Sequence, residues 1–417
     1  MNDPVLAALS REEALALTQR GGAVRCIGVP EGTEFGIDLR AYAVGARFGG
    51  VKMVPTDALH LVTWGTDLTC CGVFLRLDEA DVAAMQWNPT DEALEMVRDE
   101  GERTRHAQEV ARMEHDGALA PYPLATAEQW RELVGHITEG VLRRAGIPVG
   151  TATAPSGIDD DELQREIDAL QRARGGGAAP LASAAAQQPA AAQPAAGPMP
   201  QPMGGAPVAA CFVALDPRRS GEGLSGAALS RFHLDRSGWL TRLLEGAYSS
   251  DGDDGTLPME VGDDAGSVDA KGLSTGECAL LGELQLSYLL FLRLSSLRAL
   301  EQWKALLQLL CSCEDALCER PRLYTRVLTI VRAQLALASA DAFTADGEGG
   351  ESFLRASLST LAAHSHSHAA DLATPVRDAL RLLWASVRPF GVCYEELVAS
   401  AADDDDEQPV VVHTEAW

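Results

Sequence analysis

The sequence predicts an α+β protein with two domains: a β-sandwich-like N-terminal domain with flanking helices, and an all-α C-terminal domain. Three observations support this fold class. Short runs rich in β-branched residues, separated by Gly and Pro, recur within residues 1–150. Apolar residues recur at helical spacing in residues 209–400. Between them, the Ala, Pro, Gln and Gly stretch 174–208 carries too little apolar bulk to offset its chain entropy, which predicts a disordered linker.

The composition limits the partners and the compartment. The 417 residues include 34 Lys and Arg against 60 Asp and Glu, a net charge of −26. This charge disfavours direct binding to nucleic acid, because phosphates are repelled and no counterions are released. It also disfavours docking on anionic membranes. The N-terminus predicts no signal or transit peptide, and no stretch is apolar enough to span a membrane. Nine cysteines, an odd number, indicate free thiols in a reducing compartment, cytosol or nucleus.

The N-terminal domain, residues 1–150, is predicted to begin with a helix over residues 4–19 that Gly21 and Gly22 end. Five short strands follow, punctuated by Gly and Pro, as in a meander or a small sandwich. The predicted strands are residues 23–29, 35–39, 51–54, 59–64 and 69–77.

Two helices are predicted to complete this domain. One covers residues 91–114. The second runs from Thr126 to about residue 145, with Thr126 as N-cap and Gln129 three residues later, the spacing of a capping box. A helical spacer and the linker are expected to fill residues 151–208.

The C-terminal domain, residues 209–400, is predicted as a bundle whose helices each carry a wide apolar stripe. Ser295 and Ser296 mark a break between two antiparallel helices within residues 276–317. Further helices are predicted over residues 321–338, 352–363 and 375–387. Residues 251–270 contain seven acidic residues and no base, which predicts a disordered insert. Residues 401–417 are predicted as an acidic tail that ends in a β-strand.

No nucleotide or hydrolase motif stands in the required context. Gly221, Gly223 and Gly226 spell G-x-G-x-x-G, but residues DPRRS separate them from the preceding apolar run and no βαβ pattern follows, so a loop is expected. The G-x-S-x-G pattern around Ser225 lacks its last Gly. The sequence therefore predicts no catalytic residues and no cofactor.

Candidate metal ligands have simpler explanations. Cys311 and Cys313 would point to different sides of a helix, which favours buried thiols over a zinc site. His364 and His368 lie one helical turn apart, with His366 between them, and could chelate a metal. No third ligand adjoins them, so a solvated helix end is the favoured interpretation and no metal site is predicted.

A larger set of residues resembles a known family. The set begins with Gly28-Val-Pro-Glu-Gly-Thr-Glu-Phe-Gly-Ile-Asp38 and Gly50-Val-Lys-Met-Val-Pro55, with His60 and Trp64. It continues with Pro121-Tyr122-Pro123, Thr126 and Trp130, then Leu281-Gly-Glu-Leu-Gln285, Phe291, Trp303 and Leu309-Leu-Cys311, and it ends with Pro409-Val-Val-Val412. In this order the blocks resemble the A1-cistron splicing factor family, and they span both predicted domains.

The resemblance implies a fold and a role. The implied fold is a β-sandwich-like domain joined to an all-helical, VHS-like bundle. The implied role is a non-enzymatic assembly chaperone of the U5 small nuclear ribonucleoprotein. Such a chaperone binds the large U5 scaffold protein near its RNase H-like and Jab/MPN-like domains within a U5 precursor. It blocks premature binding of the helicase and RNA, starting in the cytoplasm and leaving in the nucleus. We expect a monomer that contacts neither nucleic acid nor membrane.

Three groups of residues are candidate sites. Val410, Val411 and Val412 follow an acidic tether and are predicted to add a strand to a partner's sheet, although pairing with the chain's own sheet stays open. Glu34, Asp38 and Lys52 are assigned equally to partner contact and to internal salt bridges. Ser267, Ser274 and Thr275 adjoin the acidic insert, where phosphorylation would add negative charge and favour release.

Two other classes of function remain as alternatives. Leu281, Gly282, Tyr288 and Ala299 are typical of a tetratricopeptide helix pair, which would indicate a helical adaptor, but no second copy at a fixed period follows. An enzyme that uses the 221–226 loop or the His run would be stabilised by nucleotide or metal.

Overall fold

The computed structural model describes residues 3–65, 70–155, 207–215, 226, 235–249, 272–338 and 352–405, with backbone only from residue 400 onward. It confirms the α+β class, with two β-sheets in the N-terminal part and helices in the C-terminal part. In the described part of the chain, no helix combines the length and apolarity needed to cross a membrane.

Two helices, rather than the predicted one, open the chain. Helix α1 covers Pro4–Ala8 and α2 covers Arg11–Arg20. The first ends at Leu9, its C-cap, and Ser10 caps the second: its hydroxyl accepts from the backbone N–H of Glu13, and the Glu13 carboxylate accepts from the backbone N–H of Ser10. The capping box satisfies the backbone N–H groups of Ser10 and Glu13, so a new helix can begin at this point. The single predicted helix is therefore two helices.

The five predicted strands are all present, and five more accompany them. In chain order the strands are β1 Gly22–Ile27, β2 Glu34–Ile37, β3 Arg40–Ala43, β4 Gly50–Val54, β5 Leu59–Trp64, β6 Cys71–Arg76, β7 Val82–Asn88, β8 Ala93–Met96, β9 Leu119–Pro121 and β10 Ala152–Thr153. One sheet has the order β8-β7-β1-β4-β9 and the other β10-β6-β5-β2-β3. Because β1 pairs with β7 and β4 with β9 in parallel, the first sheet is not a simple meander.

The predicted helix over residues 91–114 is wrong in its first half. Residues Ala93–Met96 form β8, which pairs antiparallel with β7, and helix α3 covers only Glu100–Ala111. The Asn88 side chain stabilises the hairpin turn: its amide donates to Glu95 at 2.7 Å and its oxygen accepts from the backbone N–H of Thr90 at 2.9 Å. Side-chain bonds of this kind favour turns over helix.

The predicted helix from Thr126 to residue 145 is divided in two. Helix α4 covers Ala127–Val134 and α5 covers Glu139–Arg144. Thr126 is not a side-chain cap, because its hydroxyl donates to the Pro123 carbonyl at 3.1 Å within a short 3₁₀ turn. The side-chain cap belongs instead to Thr138, at the start of α5.

The C-terminal helices agree with the predicted ones and include three that were not predicted. They are α6 Ser237–Glu245, α7 Thr275–Leu294, α8 Leu297–Cys311, α9 Glu314–Glu319, α10 Pro321–Leu335, α11 Phe353–Ser367, α12 Thr374–Val387 and α13 Tyr394–Asp405. The break at Ser295–Ser296 is confirmed: Ser295 is left-handed with φ of 55° and Ser296 caps α8. The unpredicted helices are α6, α9 and α13, and α13 runs beyond residue 400, where the tail was predicted to begin.

The two parts share apolar packing. One cluster fills the space between the sheets and includes Phe35 and Trp64. A second joins the helices around Trp303. A third contains Phe74 of β6 together with Leu286 of α7, so residues of both parts pack in one core.

The chain after the predicted linker also returns to the sheet. Val208 bridges Thr153 of β10, and its backbone N–H donates to the Ala152 carbonyl at 3.0 Å. The last predicted linker residue is therefore already paired. Linker residues 174–206, the insert 251–270 and residues 406–417 lie outside the described residues.

Candidate protein-interaction site

Asp38, a candidate contact in the segment of residues 28–55, lies in a fully buried network instead of on the surface. It follows β2 with φ of 53° and has no exposed side-chain area. One carboxylate oxygen accepts the backbone N–H of Leu61 at 2.9 Å. The other lies 2.7 Å from His60 Nδ1 and accepts the Tyr122 hydroxyl at 2.6 Å. In this structure the Asp38 carboxylate therefore makes the internal pairing, and its partner contact stays a prediction.

The His60 ring completes this network with both of its nitrogens. Nδ1 faces the Asp38 carboxylate, and Nε2 lies 2.6 Å from the backbone carbonyl of Pro55. Burial lowers the pKa of His60, but the charge and hydrogen bond of Asp38 outweigh it and the net pKa is raised. Since both nitrogens face acceptors, the protonated ring is the form that satisfies them. The network fastens β2, β5 and the segment after β9 to one another.

Lys52 and Glu34 have more open surroundings. The Lys52 ammonium forms an ion pair with Asp116, and 21 % of its side-chain area is exposed. Glu34 is exposed at the first residue of β2, close enough to Arg293 of α7 to influence the pKa of that guanidinium. Burial dominates and lowers the Arg293 pKa, while the nearby Glu34 carboxylate acts in the opposite direction. Of the three predicted charges, Glu34 presents the most accessible side chain.

The block Leu281–Gln285 holds the two parts of the protein together. A Cβ at Gly282 would lie 2.4 Å from the backbone oxygen of His136, so only Gly allows α7 to approach this closely. The Gln285 side chain accepts the His136 N–H at 2.7 Å and donates to the Glu132 carbonyl at 2.8 Å. These bonds satisfy backbone groups at and just after the C-terminal end of α4, where such groups have no partner within the helix. We call Gly282, Glu283 and Gln285 the clasp.

Glu283, the charged member of the clasp, fastens two further segments. Its Oε1 atom accepts the Gln302 amide at 2.7 Å, the Tyr248 hydroxyl at 3.2 Å and the backbone N–H of Val213 at 3.3 Å. The residue is 4 % exposed, and burial raises the pKa of its carboxyl to about 7. Glu283 thus joins α7 and α8 to the segment after the linker and to the loop that follows α6.

The clasp also bears on the adaptor alternative. In that interpretation Gly282 would serve the packing of one helix against its neighbour in a pair. In the structure its Cα faces the His136 carbonyl and Val141 of the N-terminal part. Gln285, a polar residue within the apolar run Leu280–Leu292, was the sequence signal for this contact, since such a residue is buried only with partners.

The phosphorylation candidates differ in their surroundings. Ser274 caps α7 through a capping box with Glu277, and its hydroxyl accepts the Glu277 N–H at 3.2 Å. Thr275 follows on the exposed surface. Ser267, like the candidate strand Val410–Val412, lies outside the described residues. The structure therefore leaves these assignments as predictions.

The described residues contain no group of three His, Cys, Asp or Glu side chains placed to hold a metal ion. Cys311 and Cys313 are buried, and burial raises the thiol pKa of both, to about 12 for Cys311. His364 and His368 face a carboxylate of another helix, with His368 Nε2 2.8 Å from Glu314 Oε1. Of the glycine motif, Gly221 and Gly223 lie outside the described residues.

Comparison with known proteins covers both folded parts. A family model described as the AAR2 N-terminal domain matches residues 20–146, and one described as the AAR2 C-terminal repeat region matches residues 212–390. The chain is 26 % identical over 390 residues to a Homo sapiens protein named Protein AAR2 homolog, covering 88 % of this chain and 89 % of the relative. The Mus musculus protein of that name is 27 % identical over 354 residues, 83 % of each chain. The Caenorhabditis elegans protein of that name is 23 % identical over 364 residues, covering 85 % of this chain and 89 % of the relative.

Proposed function

The chain belongs to the AAR2 family, and from that premise we propose that it is a pre-mRNA splicing factor that acts by binding another protein. The observation that carries the proposal is the match of both family models, in order, to the two folded parts. The charge of −26 supports a protein partner over RNA, because a chain this acidic gains no counterion release from a phosphate backbone.

The proposed partner is the large scaffold protein of the U5 small nuclear ribonucleoprotein, in the region of its RNase H-like and Jab/MPN-like domains. The acidic surface would cover a basic RNA-binding surface of that scaffold and delay premature binding of RNA and the helicase. An assembly chaperone of this kind would join a U5 precursor in the cytoplasm and leave it in the nucleus. Charge complementarity of this type speeds association and weakens with added salt.

Two surfaces are proposed to contact the scaffold. The first is the strand Val410–Val412, whose β-branched residues favour addition to a sheet edge. The second is the exposed Glu34 at the start of β2, which lies near Arg293 of α7. Phosphorylation at Ser267, Ser274 or Thr275 would add negative charge and favour release.

The proposal is tested by pull-down of the purified chain with the recombinant RNase H-like plus Jab/MPN-like region. Binding at low salt that weakens with added salt supports the scaffold role, and no binding at low salt overturns it. Deletion of residues 408–417 should weaken binding without lowering the melting temperature. If binding survives the deletion, the role stands and strand addition by the tail is refuted.

A further inference from the structure

Helix α12 carries a stripe of arginines on one exposed face. Arg377, Arg381 and Trp384 of α12 and its C-cap residue Arg388 follow one another at intervals of four, three and four residues. Because Arg388 keeps helical backbone angles, all four lie on one side of the helix. The three arginines are exposed and Trp384 is half-buried. Core packing does not require such a stripe, because the buried face of α12 consists of other residues, including Val376, Leu380 and Leu383.

The stripe borders a cavity of about 460 Å³. The other walls come from the end of α11, the loop that follows it and the start of α13, and they include Leu372 and Tyr394. The rings of Trp384 and Tyr394 pack against each other with centroids 5.1 Å apart and planes inclined by 37°. We call this surface, formed by Arg377, Arg381, Trp384, Arg388 and Tyr394, the arginine groove.

The arginine groove is positive in a strongly negative protein. Among the described residues, Glu395 is the one carboxylate in its lining, and the Cys393 thiol and nearby Arg388 both help to lower the pKa of this carboxyl. Arg381 pairs with Asp378 beside the cavity at 2.9 Å, and both side chains are largely exposed. Arg377 forms no ion pair with any side chain in the described part of the chain, and it donates to the Thr374 hydroxyl at 3.2 Å. The lining therefore keeps a net positive charge.

We propose that the arginine groove binds a short acidic segment of a partner protein in extended form. Arginines four and seven residues apart on a helix lie about 6 and 10 Å apart along its axis. Carboxylates two residues apart lie on one face of an extended peptide and repeat at about 7 Å, close to the first of these spacings. The guanidinium groups would take carboxylates, and the Trp384 and Tyr394 rings would take an aromatic or aliphatic side chain.

A peptide is favoured over single-stranded RNA, although arginines beside aromatic rings also suit RNA. A long polyanion would meet the repulsion of the whole chain, whose net charge is −26. A short acidic segment is attracted mainly by the local positive charge of the groove, because salt screens the negative charges of the protein that lie more than about 8 Å away at physiological ionic strength.

The test measures fluorescence anisotropy of a labelled peptide of about twelve residues, Asp and Glu around a central Phe-Leu pair, titrated with the full chain. The groove variant is Arg377→Gln, Arg381→Gln and Arg388→Gln together. The control variant replaces three exposed arginines by Gln, Arg103 and Arg105 of α3 and its C-cap residue Arg112, which changes the net charge equally. Circular dichroism and melting temperature verify that both variants are folded.

The groove variant should bind the peptide about tenfold more weakly, and the control variant should bind it like the unmodified chain. Equal binding by the two variants overturns the proposal, as does equal binding of an Asn and Gln version of the peptide. Tighter binding of a single-stranded RNA of similar length through the same arginines would assign the groove to RNA. Peptide binding that appears only after residues 406–417 are removed would assign it to the chain's own acidic end.

Discussion

Replacing the buried carboxyl of the clasp by an amide, Glu283→Gln, should stabilise the protein at neutral and higher pH. All three donors to Glu283 reach the same oxygen, Oε1, which a glutamine keeps as its carbonyl oxygen. The substitution therefore retains the shape and the hydrogen bonds but removes the charge. Since an ionised carboxylate is costly to bury, the uncharged variant avoids that cost.

The size and sign of the effect follow from the raised pKa. The carboxyl titrates at about 7 in the folded protein against an ordinary value of 4.5. Between these values the folded state holds a proton that the unfolded state has lost, so the stability contributed by this group falls as the pH rises through this range. At 1.36 kcal/mol per pKa unit, the free energy of unfolding that is lost above about pH 7 is at most about 3 kcal/mol. The Glu283→Gln variant does not lose this stability.

Urea unfolding at about pH 5 and about pH 8 measures the difference directly. The free energies of unfolding of the variant and the parent should be close at the lower pH, and the variant should exceed the parent by up to about 3 kcal/mol at the higher pH. Glu301→Gln is the control, because that side chain is 66 % exposed on α8 and should change little. A Glu283→Gln variant with the parent's pH dependence would refute the reasoning.

Three other substitutions test the remaining contacts. Gly282→Ala should cost about 1–3 kcal/mol of unfolding free energy and should separate the melting of the two parts in calorimetry. Gly117→Ala is the control: a methyl group there meets nothing within 4 Å, so neither effect is expected. Ser274→Ala should cost about 1 kcal/mol through loss of the α7 cap, and an unchanged melting temperature would show that the cap contributes nothing. Asp38→Ala should cost about 3–5 kcal/mol in urea unfolding. It should also abolish the raised pKa of His60. In the parent, this raised pKa stabilises the fold fully below pH 6.5, and the stabilisation fades as the pH rises through the raised value. A His60 titration by NMR that is the same in the variant and the parent would contradict the network.

The sequence by itself determined the division into a β-rich part and a helical part, and the break at Ser295–Ser296. These features depend on local patterns: apolar periods of two or 3.6 residues and short polar interruptions. Periodicity shows which face of an element is buried, but it does not show what that face meets. It failed where side-chain bonds redirected the backbone, as at Ser10 and in the turn at Asn88.

Only the tertiary structure decided the long-range partners. It paired β1 in parallel with β7, and it brought Asp38, His60 and Tyr122 together from distant parts of the chain. It also showed that Gln285, read from the sequence only as part of a block that resembles a family, fastens the two parts to each other, whereas Glu283 joins segments of the C-terminal part. The physical reason is that burial of a polar group requires a partner, whereas the identity of that partner depends on how distant segments pack.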